Sequence, residues 1–117
     1  MKKRAIIVTV FLCTFCIGTT SVAQGFVKQL ARTGMIQQDV DIMVAAGSEL
    51  YARGGATVGD DTIWLNPETD AHGMAEITEV DGNCVRIAYR FRTVRRPALQ
   101  TIEARRCLEN GRWVLSG

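Results

Sequence analysis

Cys84 and Cys107 bracket a stretch whose polarity alternates along both arms, and this stretch constrains the fold more than any other. Along the first arm Val85, Ile87, Tyr89 and Phe91 alternate with Cys84, Arg86, Ala88, Arg90 and Arg92. A period of two is the mark of a strand with one buried face. Arg95, Arg96 and Pro97 interrupt the pattern, and proline has no amide hydrogen to give a ladder, so the chain should turn there. The return arm carries Leu99, Thr101, Glu103, Arg105 and Cys107 on one parity, with Ile102, Ala104 and Leu108 among the other. A turn centred on Arg95 and Arg96 places Cys84 opposite Cys107, at the last cross-strand position of a hairpin. A disulfide there would contribute roughly 3 kcal/mol in the chain-entropy description. A slip of one residue would turn one cysteine to the other face, and two free thiols of a reduced core are the competing reading.

The N-terminus favours the disulfide. Lys2, Lys3 and Arg4 precede an uncharged apolar segment from Ala5 to Ile17, and Ser21-Val22-Ala23 offers small residues for cleavage. Residues 1–23 therefore read as a secretory signal, with Gln24 as the new N-terminus. The apolar segment is short for a spanning helix, although an uncleaved anchor is the alternative. Cys13 and Cys16 fall within the leader, and the residues before them, Leu12 and Phe15, do not suit lipid attachment. Export to a periplasm or medium, with or without association with the outer membrane, is an oxidising fate that matches the remaining cysteine pair.

Removing the leader changes the electrostatics. The 117-residue chain is formally +2, but without Lys2, Lys3 and Arg4 the acids outnumber the bases by one. A preference for nucleic acid cannot be drawn from the whole-chain charge. The distribution says more: Asp39 to Asp81 is acidic with Arg53 as its one base, and Gly82 to Gly117 is rich in arginine.

Residues 24–35 read as poorly ordered or a short helix. In Ile36 to Arg53, the residues Ile36, Val40, Met43, Val44, Gly47, Leu50 and Tyr51 recur at spacings of three and four, giving a helix with one apolar face that Gly54-Gly55 ends. Thr62 to Leu65 is a short strand stopped by Asn66-Pro67. Met74, Glu76, Thr78 and Val80 alternate with Ala75, Ile77 and Glu79 before the Asp81-Gly82-Asn83 turn, and Arg112 to Leu115 follows an Asn110-Gly111 turn. The fold class is α+β, one N-terminal helix packed on an antiparallel β-meander of about five strands, with residues 36–117 forming one domain.

Trp64, Asn66-Pro67-Glu68-Thr69, Gly73, Cys84, Arg106-Cys107 and Asn110-Gly111-Arg112-Trp113 occur in an order that resembles the C-terminal domain of the rickettsial 17 kDa surface-antigen family of bacterial envelope proteins. Asp70, Val85 and Leu108 depart from the residues usual at their positions in that family, and its glycine-zipper segment and lipid-attachment cysteine are absent. The resemblance implies a disulfide-braced envelope domain and carries no catalytic activity to transfer.

No catalytic residue, cofactor or metal site is expected. His72 is the sole histidine, in an Asp70-Ala71-His72-Gly73 turn, and neither Ser48 nor Ser116 has the surroundings of a nucleophile. The binding candidates are Arg86, Arg90, Arg92 and Arg105, which share one face of the hairpin and suit an envelope protein or an anionic surface. Nucleic acid is disfavoured because Tyr89 and Phe91 lie on the opposite parity, away from those arginines. The expected function is a non-catalytic cell-envelope structural or interaction module with no stable transmembrane segment after processing and an open oligomeric state. The alternative is a small periplasmic or secreted inhibitor using the loop from Asn66 to Gly73.

Overall fold

The computed structural model describes residue 26 and residues 28–116; the expected secretory leader lies outside them. One helix, α1 (Gln37–Ser48), precedes five strands, β1 (Asp61–Leu65), β2 (His72–Asp81), β3 (Cys84–Arg92), β4 (Gln100–Glu109) and β5 (Arg112–Leu115). The strands form one sheet in chain order, each antiparallel to the next. The fold is thus the α+β helix-on-meander arrangement expected from the polarity pattern. Residues 28–31 are also helical.

Helix α1 has no serine or threonine at its start. Asp39, in its first turn, accepts the Ile36 amide at 3.1 Å and so satisfies one of the donors that a helix N-terminus leaves open. The helix is shorter than the expected 36–53. After Ser48 the chain tightens, with Leu50 and Tyr51 amides reaching back three residues to Gly47 and Ser48. This turn still delivers Tyr51 to the core, where it is buried.

The core lies between α1 and one face of the sheet. Met43 from the helix belongs to one buried cluster with Trp64, Ala75, Ile77, Val85, Ile87, Tyr89, Phe91, Ile102 and Ala104. Two glycines set the approach distances. A Cβ at Gly47 would stand 2.8 Å from both Ile87 and Tyr89, and one at Gly73 would stand 2.0 Å from the Arg90 carbonyl oxygen.

Cys84 pairs directly with Cys107, and the two are joined in a disulfide with their Cα atoms 4.0 Å apart. On the neighbouring rung the Leu108 amide donates to Asn83 O at 2.8 Å. Because antiparallel rungs alternate, the cysteines occupy a rung without such bonds, the kind on which Cα atoms come closest. The hairpin tip is one residue earlier than its register centre. Thr93 and Arg96 exchange backbone hydrogen bonds around Val94-Arg95, and Pro97 to Leu99 absorb the offset before β4 resumes pairing.

Strand β2 departs from simple alternation. Its register against β3 slips between Ile77 and Glu79, a bulge that leaves Thr78 unpaired. An extra residue of this kind exchanges the two faces for everything beyond it. Glu79, expected on the parity of Ala75 and Ile77, therefore pairs with Arg86 on the outer face, and Val80 turns to the side of its partner Val85.

Candidate functional site

The outer face carries the four arginines singled out in the sequence. Arg86, Arg90 and Arg92 follow one another along β3, and Arg105 stands opposite Arg86 on β4. Together with the acids of β2 they form a mixed-sign lattice, not a one-signed stripe. Arg90 donates to Glu76 at 2.7 Å, and Arg86 meets Glu79, brought there by the bulge, at 3.4 Å. Both pairs are partly exposed, so each contributes under about 1 kcal/mol to stability. Arg92 donates to the Pro97 carbonyl at 2.6 Å and Arg105 to Ser116 Oγ at 3.1 Å. Among the described residues, Arg92 and Arg105 thus have neutral partners and keep their charge available.

The same face has an apolar margin. Ile63 lies in one row with Met74 and Arg90, and Leu65 lies in one row with His72 and Arg92. On the sheet's edge strand Ile63 is 82% exposed and Leu65 57%. Exposed apolar side chains on an unpaired edge are usually blunted by charge, so their presence here marks a surface suited to contact.

The loop after β1 is anchored through Asn66 and Thr69, while Pro67, Glu68 and Asp70 are exposed. Asn66 is buried, donates to Asp39 Oδ1 at 2.7 Å and to Gln38 at 3.3 Å, and accepts the Glu68 amide at 3.1 Å. Thr69 Oγ1 also donates to Asp39. A single buried carboxylate therefore ties the Asn-Pro-Glu-Thr segment to the start of α1. His72 is exposed, with Nδ1 2.8 Å from Asp70 O. Among the described residues no group of three or more His, Cys, Asp or Glu could hold a metal ion.

A second cluster lies on the core side of the sheet. Arg106 shares the inward parity of β4 with Ile102, Ala104 and Leu108, and pairs with Val85 on β3 and Leu115 on β5. Its guanidinium is near the phenols of both Tyr51 and Tyr89. Burial raises the pKa of Tyr51 and pushes that of Tyr89 up to about 12, and the nearby Arg106 opposes both shifts without overcoming them. Tyr51 in turn meets Trp113 edge to face, with ring centroids 4.8 Å apart. The signal in the sequence was a charge at every-other spacing within an apolar series, Ile102, Ala104, Arg106, Leu108; the adjoining Arg105 and Arg112 obscure it.

No family model, curated protein or solved structure matches the chain.

Proposed function

We propose that this chain is a non-catalytic interaction module of the bacterial cell envelope, exported and then braced by its disulfide. The observation that carries the reading is the Cys84–Cys107 bridge, seated between two directly opposed strand residues. Such bridges persist in oxidising compartments, and the leader-like residues 1–23 would deliver the chain to one. The likeness of its tryptophan, Asn-Pro-Glu-Thr and cysteine series to the 17 kDa surface-antigen domain supports the same assignment.

The outer face is its contact surface, and the partner is an anionic envelope surface. Among the described residues Arg92 and Arg105 supply charge without an ion-pair partner, Arg86 and Arg90 frame them, and Ile63 and Leu65 supply apolar contact along the same rows. Flotation of the purified protein with vesicles containing anionic lipid tests this. Binding should fall as salt is raised, because exposed charges are screened within about 10 Å at moderate ionic strength. The Arg92→Gln/Arg105→Gln double variant, which leaves both ion pairs intact, should bind several-fold less. Equal flotation with anionic and neutral vesicles, or equal binding by the double variant, would remove this role from the face.

A further inference from the structure

Strand β1 ends the sheet with one side open. Along a paired strand, successive residues turn their backbone hydrogen-bonding groups to alternate sides. The Asn66 amide donates to Ala71 O and the Ile77 amide to Asp60 O, each at 2.8 Å, so the even-numbered residues of this stretch face β2. Asp61, Ile63 and Leu65 therefore turn their amides and carbonyls outward. Among the described residues these groups meet only the Thr62 hydroxyl, 3.5 Å from the Ile63 carbonyl and too distant for a firm hydrogen bond.

Open edges are ordinarily blunted by lysine, proline, a bulge or a covering segment. Strand β1 has no lysine, arginine or proline, and it keeps an unbroken register with β2. Its middle residue, Ile63, has the most exposed large apolar side chain among the described residues. The opposite edge, β5, is shorter and begins with Arg112. The outward groups of β1 are also symmetric about Ile63. Two antiparallel copies related by an axis there set Ile63 against Ile63 and Asp61 against Leu65, and every outward amide and carbonyl is paired. Moving the axis one residue toward Asn66 sets Asp61 against Pro67, which has no amide to give. Moving it the other way sets Leu65 against Gly59, whose amide is already given to Ile77 O. The charges agree with the central register. Leu65 shares a row with His72 and Arg92, and Asp61 shares a row with Glu76, so the basic row of one copy continues into the acidic row of the other.

We propose that two copies of this chain join through β1, antiparallel about a two-fold axis at Ile63, to make one continuous sheet. A second copy fits this edge in both respects: its outward groups match in register, and its Asp61 meets the basic row. The pairing leaves the outer arginines of both copies on a shared face and does not depend on the envelope role.

Sedimentation equilibrium of the purified protein without lipid tests it, and a monomer–dimer equilibrium is expected. Ile63→Pro removes the central outward amide and leaves the bonds to β2 in place, at a position where edge strands accept proline. The dimer should weaken about tenfold or more. Ile63→Lys sets like charges across the axis and should weaken it about as much, with the fold unchanged because the side chain is exposed in the monomer. Ile63→Cys places two thiols on a rung whose Cα atoms are about 5.5 Å apart, so a short bis-maleimide should link two chains. Leu65→Cys, displaced about 13 Å along the strand from its counterpart, should not be linked. A monomer at millimolar concentration, undiminished pairing in the folded proline or lysine variant, or linking through Leu65→Cys as readily as through Ile63→Cys would overturn the proposal.

Discussion

At Gly73 the limit on the side chain is absolute, because a methyl group there would stand 2.0 Å from a backbone oxygen of the next strand. Backbone cannot swing aside as a flexible side chain can, so Gly73→Ala should destabilise the fold by about 3 kcal/mol or more in denaturant titration. Asp39 is the opposite case, a polar residue required by its partners. Asp39→Ala would strip an acceptor from Ile36, Asn66 and Thr69 together, and a loss of about 2–4 kcal/mol is expected on unfolding. Tyr89 gives a pH signature. Burial pushes its folded pKa up to about 12 from the ordinary phenol value of 10.0, so the stability of the neutral phenol is complete below pH 10.0 and is lost as pH rises toward 12. Unfolding free energy should decline through that window, and Tyr89→Phe should flatten the decline while leaving the smaller contribution of Tyr51. In the sequence Tyr89 was visible on the apolar parity of an alternating run and Asp39 as an acid in the first turn of a helical pattern. The tie from Asp39 to Asn66 was not, because a hydrogen bond across 27 positions leaves no periodic trace.

The elements were legible where two faces differ in polarity. Strands β3 and β5 occupy the residues that alternation assigned, and the Cys84–Cys107 pairing has the register expected for a centre between Arg95 and Arg96. Replacing both cysteines with alanine should lower stability by about 2–4 kcal/mol in chemical denaturation, with the sheet retained at room temperature. The β2 bulge was not legible, because a bulge exists only relative to its partner strand. Thr78 reads as one more polar residue in an alternating run, yet it is the extra residue past which Glu79 meets Arg86 and Val80 meets Val85. Deleting Thr78 should therefore close the bulge and keep Glu79 opposite Arg86 and Val80 opposite Val85, so the sheet should survive the deletion in circular dichroism; loss of the fold would contradict the reading of Thr78 as the extra residue. The same limit explains the turn of β3 into β4, whose tip is at Val94-Arg95 although the strand register centres one residue later.

Across the whole molecule the two halves of the charge distribution meet in space. The acidic segment supplies Glu76 and Glu79 through β2, and the arginine-rich segment supplies Arg86 and Arg90 through β3, so the outer face is more nearly balanced than either segment. What remains is a sheet with an apolar, charge-studded outer margin on one side and a helix-covered core on the other. Among the described residues no helix is long and apolar enough to cross a membrane. The proposal that this molecule is exported and disulfide-closed is tested most directly by the intact mass of the protein recovered from the envelope fraction without reductant. The expected mass is that of a chain beginning at Gln24 and lighter by two hydrogens than its reduced form, with no thiol open to labelling after denaturation. A chain retaining Met1, or one in which Cys84 and Cys107 take up label without reduction, would contradict it.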